Sequence, residues 1–131
     1  GNALSCAVAL ESLKLFEENN VIEKNVELIQ IMENQRTRFS DLPHVGDVRH
    51  LGMIWAVELI ADKERKSIFE PANGPGWKIA ESLWKRGMWI RPLDNILYVL
   101  PPYCITKGEL DWVFDCLYEE IGNTNHFSTA N

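Results

Sequence analysis

VGDVRHLGMIWAVELI, residues 45–60, is where the sequence changes its period. Trp55, Val57 and Leu59 alternate with Ala56, Glu58 and Ile60. That two-residue repeat predicts a strand with one buried face. A shorter strand over Asp47–His50 is expected before it, and Gly52 between them permits a bulge or a bend.

Working upstream, the period becomes helical. A helix is predicted over Leu4–Glu18, with Asn2 as its cap. Ala3, Cys6, Ala7 and Ala9 keep its first turns small, so another backbone can approach closely. Leu10, Leu13 and Phe16 extend an apolar stripe at helical spacing. Asn20 with Glu23 resembles a capping box for a second helix. Ile22, Val26 and Ile29 are expected on its inner face, with Met32, Gln35 and Phe39 nearby. It ends before Pro43, because a residue preceding proline resists the helical region.

Downstream, Asp62–Lys66 is a charged connection, and Glu70–Gly76 reads as loop. A third helix is expected from Pro75 or Gly76 to Gly87, with proline at its start and glycine just past its end. Met88–Arg91 and Ile96–Leu100 read as short strands joined by a turn over Pro92–Asn95. Thr106 and Glu109 form a capping box for a last helix, with Leu110, Val113, Phe114, Leu117 and Ile121 facing inward. A frayed, flexible tail is expected from Gly122 to Asn131. Helices and strands without strict alternation predict an α+β domain, a small antiparallel sheet covered by helices on one face.

The 131 residues suffice for one domain with one core. The net charge of −6, with Lys and Arg scattered among acids, leaves no electrostatic footprint for a phosphate backbone. No apolar run is long enough to cross a membrane. Cys6, Cys104 and Cys116 are far apart, form no CxxC pair and read as buried free thiols in a reducing cytoplasm. No metal-ligand spacing, phosphate loop or nucleophile elbow is present, so neither a metal site nor a catalytic residue is assigned within these residues.

Glu58 lies in an apolar strand and is read as a structural acid in need of a partner. Arg91 is the sharper candidate, because it ends the apolar run MWIRP next to a turn, with Tyr98 on the expected opposing strand. A guanidinium held there can offer a planar fork to a carboxylate. The residues alone leave open whether it binds a ligand or pairs with a nearby Asp or Glu. Trp77, Trp84, Trp89 and Tyr103 are read as core filling.

Three segments together resemble a known family. GNALSCAVALESLKLFE resembles the helix that leaves the large domain of class III pyridoxal-phosphate aminotransferases. VGDVRHLGMIWAVELI resembles the first strand region of their small domain. WIRPLDNILYVLPPYCIT resembles the corresponding block of those members that aminate 8-amino-7-oxononanoate for biotin synthesis. The resemblance runs from Gly1 to about Ile121.

It implies the C-terminal small domain of a fold-type I transferase. Residues 1–18 would be the helix leading in from a large domain that holds pyridoxal phosphate and its lysine. None of the seven lysines here stands in a matching context. The fragment alone is therefore expected to be inactive and not to bind the cofactor. The parent is expected to be a cytoplasmic homodimer using S-adenosylmethionine, or lysine in some relatives, as amino donor. The resemblance makes Arg91 the residue that binds the substrate carboxylate, with Leu93 and Tyr98 near the substrate chain. Asp94 stands where glycine is usual, and its charge is placed to compete for Arg91. The alternatives are another class III enzyme of the ω-amino-acid:pyruvate type, or a non-catalytic binding module with this fold.

Overall fold

The alternating stretch folds into a hairpin. In the computed structural model, which describes residues 1–69 and 74–128, β1 (Val45–Leu51) pairs antiparallel with β2 (Ile54–Leu59). Leu51 stands opposite Ile54, so only Gly52 and Met53 make the turn. Gly52 takes φ +58°, a conformation that such a two-residue turn needs and that a side chain would resist. β3 (Ile96–Val99) adds to the other edge of β2, giving the antiparallel order β1-β2-β3.

The period of two decides which face is covered. Val48, Trp55, Val57, Leu59, Leu97 and Val99 are buried, whereas Ala56, Glu58, Ile96 and Tyr98 are half-buried and Arg49 is exposed. The covering layer is α2 (Val21–Ser40), α3 (Pro75–Lys85) and α4 (Lys107–Gly122). α3 turns Ile79, Ala80 and Leu83 inward, and α4 turns Leu110, Phe114, Leu117 and Ile121 inward. Phe39 of α2 meets Trp55 edge-on at 4.8 Å and Tyr118 at 5.4 Å, while Trp55 meets Phe114 at 5.2 Å. Each such aromatic pair contributes about 0.5–1.5 kcal/mol beyond the area it buries. Arg38–Asp115 at 2.8 Å joins α2 to α4, and Arg86–Glu119 at 2.8 Å joins α3 to α4. Exposed pairs of this kind add only about 0–1 kcal/mol each, so the apolar cluster carries the fold.

α1 (Ala3–Glu18) stands apart. Asn2 caps it as expected, its side chain accepting from the Leu4 amide at 3.0 Å. None of its residues is buried, and Phe16 touches the rest of the domain through Tyr103 at 5.5 Å.

The structure departs from the sequence reading in four places. Of the expected face of α2, Ile22 and Val26 are turned outward, 71% and 60% exposed, whereas Ile29 is half-buried against the core; Met32 and Phe39 are buried, together with Asn25 and Leu28. Asn20 takes a left-handed φ of 48° and makes no side-chain cap, so the Asn20–Glu23 box does not form. Met88–Arg91 belongs to no strand, so the expected hairpin with Ile96–Leu100 does not form, and Tyr98 opposes Ala56 of β2. The segment expected as tail carries secondary structure over its first residues. α4 runs through that residue, and a 3-10 turn, Thr124–Phe127, stacks Phe127 on His44 at 4.1 Å and sets His126 on Glu120 at 2.8 Å. Aromatic stacking and a hydrogen bond hold what composition alone marks as loose. Of the loop expected over Glu70–Gly76, residues 70–73 lie outside the described residues, as do 129–131 of the tail. The Thr106–Glu109 capping box forms as read.

Candidate functional site

The site is built from the segment between α3 and β3. α3 ends where Gly87 takes φ +88°, and the Met88 amide donates back to the Leu83 carbonyl at 3.0 Å. The chain then extends. Met88, Ile90 and Pro92 are buried, while Trp89 and Arg91 point to solvent. Alternation here comes from packing against the core, not from a sheet ladder. Leu93, 56% exposed, continues the outward set at the same spacing.

The turn that follows is tightly fixed. Leu93 and Ile96 exchange both amide–carbonyl bonds, at 2.9 and 2.8 Å, around Asp94 and Asn95. Asp94 takes φ +51°, a left-handed conformation that aspartate tolerates better than most side chains. The Asn95 side chain donates to the Leu59 carbonyl at 3.1 Å and to Glu58 Oε1 at 3.3 Å, and its own carbonyl accepts from the Leu59 amide at 2.7 Å. Asn95 thus pins the turn to the end of β2. On the other side lies Gly76 in the first turn of α3. A Cβ there would stand 2.9 Å from the Asp94 carbonyl oxygen and 3.2 Å from Pro92 Cβ.

Among the described residues, the Arg91 guanidinium makes no ion pair or hydrogen bond, with Asp94 or any other acid. Glu58 is engaged elsewhere, with Arg49 at 3.8 Å and Asn95 at 3.3 Å, which is the structural role read for it. Arg91 and Leu93 share the outward side of one segment. Tyr98 stands on β3, facing the open side of the sheet beside Ala56.

Of the tryptophans read as core filling, only Trp84 packs against the core. Trp89 is 80% exposed, Trp77 is exposed and Trp84 is half-buried. Trp84 and Trp89 stack at 4.7 Å and 12°, and Trp84 Nε1 donates to the Ile90 carbonyl at 2.9 Å. Tyr103 is likewise exposed. The seven-residue spacing of Trp77 and Trp84 on one helix face was the available signal; their neighbour Trp89 is reached only through the fold.

Other chemistry-bearing groups are occupied by structure. His44 bonds the Ile60 carbonyl at 3.1 Å, and His50 bonds Glu33 at 2.8 Å. The hydrogen bond from His50, helped by Arg36, holds the Glu33 carboxyl below its usual range. Of the three thiols expected to be buried, Cys6 and Cys104 are exposed; burial pushes the Cys116 thiol up, which makes it a poor nucleophile. Among the described residues no cluster of three His, Cys, Asp or Glu side chains could hold a metal. A concavity of about 970 Å³, wide open between α2, β1 and the 61–68 loop, is lined by neither Arg91, Leu93 nor Tyr98. It mixes both charges and already ties Arg36 to Glu33 and Lys63 to the Ser40 carbonyl.

Comparison with known proteins bears on the whole of this architecture. The sequence model of the family described as aminotransferase class-III matches residues 1–121. An adenosylmethionine-8-amino-7-oxononanoate aminotransferase from Methanocaldococcus jannaschii is 38% identical over 121 residues, covering 92% of this chain and 26% of that protein. Its namesake from Geobacter sulfurreducens is 39% identical, covering 92% and 27%. The crystal structure of the M. jannaschii enzyme superposes with a TM-score of 0.87 over 92% of this chain and 27% of that one. A PMP-bound aminotransferase from Vibrio fluvialis, 27% identical, superposes with a TM-score of 0.82 over 88% of this chain and 26% of that one. The chain thus spans about a quarter of the length of the relatives it matches.

Proposed function

The chain belongs to the class III aminotransferase family, and from that premise we propose that it is the C-terminal small domain of an adenosylmethionine–8-amino-7-oxononanoate aminotransferase. In the complete protein it would help transfer an amine to 8-amino-7-oxononanoate, giving 7,8-diaminononanoate for biotin synthesis. The observation that carries this reading is Arg91: a guanidinium free of protein partners among the described residues, on the segment that leads into the fixed Leu93–Ile96 turn.

The chemistry of the acceptor fits such a group. Its carboxylate is remote from the ketone that reacts. A planar fork gripping that end would hold the other end at a defined distance, replacing a search in solution by a single pose. Leu93 beside it offers apolar contact for the methylene chain, and Tyr98 offers a ring with a hydroxyl. Neither takes part in proton transfer on this reading, and the domain contributes binding and orientation only.

Pyridoxal phosphate would supply the electron sink for the amine transfer. The residues of this chain do not fit it. All seven lysines are exposed, whereas a lysine that forms a Schiff base works best in a desolvated setting. Lys63, Lys78 and Lys107 are engaged with the Ser40 carbonyl, the Ser128 carbonyl and Glu27. The cofactor would therefore be seated by a large domain, against which the exposed apolar residues of α1 would pack. The isolated chain is expected to neither bind it nor transaminate. S-adenosylmethionine is the proposed donor, and a cytoplasmic homodimer the proposed state. No helix among the described residues is long and apolar enough to cross a membrane.

The test compares acceptors in the complete protein. With S-adenosylmethionine as donor, 8-amino-7-oxononanoate should be preferred over pyruvate in kcat/KM. A preference for pyruvate with an ω-amino-acid donor would replace this reading by the other class III activity.

A further inference from the structure

We infer that Trp84 is a positioning residue for Arg91, its indole clamping the extended segment that presents the guanidinium. The inference rests on the reading of Arg91 as the group that binds the substrate carboxylate.

The segment 88–92 has little else to hold its backbone. Among the described residues, the Trp89, Ile90 and Arg91 amides find no main-chain acceptor, and Pro92 has no N–H to offer. The fixed points lie at its two ends, at the Met88 amide on Leu83 and at the Leu93–Ile96 turn. Between them, Trp84 makes two contacts. Its Nε1–H donates to the Ile90 carbonyl at 2.9 Å, one residue before Arg91. Its ring stacks on Trp89 at 4.7 Å and 12°, two residues before Arg91. Trp77, edge-on to Trp84 at 6.4 Å and 74°, backs the indole from the preceding turns of α3.

A leucine at 84 would fill space as well, but it has no donor, and Ile90 would lose its partner. Gly76 at the other end of α3 admits Pro92 and Asp94 at backbone distance. Arg91 is therefore hung on α3 at two points, rather than on the sheet. A guanidinium serves as a clamp only when its Cα is held, because a displacement of about 1 Å is enough to spoil a bidentate contact. The identity of residue 84 thus reaches the substrate through Arg91, without touching it.

The experiment uses the complete aminotransferase. Trp84→Phe keeps a ring and drops the N–H, while Trp89→Leu removes the stack at an exposed position. Both should speed hydrogen exchange at the bonded amides of Met88 and Leu93. Both should raise the acceptor KM, Trp84→Phe by about two- to tenfold, with kcat at saturation nearly unchanged. In an Arg91→Ala background the same changes should add almost nothing, since the route to substrate is gone. Unaltered exchange in Trp84→Phe overturns the clamp. So does a loss that multiplies fully in the Arg91→Ala background, which would mark a general structural effect. If Arg91→Ala itself leaves the acceptor KM unaltered, the substrate role of Arg91 falls first, and the clamp loses its function with it.

Discussion

Replacing Arg91 by alanine in the complete protein separates a ligand-binding arginine from a structural one. The structure sets both sides of the balance. The guanidinium has no acid partner among the described residues, and its neighbours Met88, Ile90 and Pro92, not Arg91 itself, fill the core. Its removal should therefore change stability by no more than about 0.5 kcal/mol, the range of ordinary surface substitutions. The lost substrate contact is larger. A charge-assisted, bidentate bond to a carboxylate contributes about 1.5–3 kcal/mol, or roughly ten- to a hundredfold in kcat/KM for the acceptor. Lysine should recover only part of this, because it supplies a point charge without the fork. The assay is single-turnover kinetics of each half-reaction, with thermal unfolding on the same preparations. The acceptor half-reaction should fall, and the donor half-reaction should fall less where the donor makes no contact with Arg91. An equal fall in both, together with a lowered Tm, would refute the reasoning and return Arg91 to a structural role.

Three further outcomes follow from the packing. Phe39→Ala empties the centre of the ring formed with Trp55, Phe114 and Tyr118 and should cost about 3–5 kcal/mol in denaturant unfolding; a loss below about 1 kcal/mol would mean that the cluster does not carry the fold. Gly76→Ala gains up to about 1 kcal/mol in helix propensity, but its Cβ would meet the Asp94 carbonyl at 2.9 Å, so acceptor KM should rise while Tm changes little; an unaltered KM would show that the turn yields without moving Arg91. Burial pushes the Glu120 carboxyl up, but hydrogen bonds from His126, Ser82 and Arg86 outweigh it and hold the group below its ordinary 4.5. A depressed folded value stabilises in full above the ordinary value and is lost as pH falls through the folded one, so wild-type Tm should drop on acidification below about pH 4.5 more steeply than that of Glu120→Gln; parallel curves would remove Glu120 from the account.

Much of the fold is legible because local chemistry and global packing agree. The alternation from Trp55 to Leu59 is buried by the helices as read, and Thr106 with Glu109 caps α4 in both directions. α2 is misread because it carries two apolar stripes. Ile22 and Val26 form one, and Leu28, Met32 and Phe39 form the other. Both fit a helical period, and the period does not say which stripe meets this core. The buried set also includes Asn25, a residue that a hydrophobicity count passes over. Met88–Arg91 is misread for the converse reason. It alternates like a strand and is extended like one, but its hydrogen-bonding partner is an indole rather than a neighbouring strand. Local pattern reports burial; it does not report which group accepts or donates.

The candidate site divides along the same line. Arg91 was visible as a charge ending an apolar run, but the group that holds it was not. Trp84 lies six residues from Ile90 and across a helix end, and only the fold makes them partners. Asp94 shows what the two views give together. The sequence reading sets an acid close to Arg91, where resembling proteins usually carry glycine, and so expects it to compete for the guanidinium. The structure gives that position φ +51°, which explains the preference for glycine as a demand of the backbone rather than of charge. It also leaves the Asp94 carboxylate unpaired with Arg91 among the described residues. The left-handed turn is what directs the chain from Arg91 back into β3, with Asn95 tying it to β2. The departure at 94 is then a small conformational cost borne by the turn, and among the described residues no acid occupies the fork of Arg91, which the proposed function assigns to a substrate carboxylate.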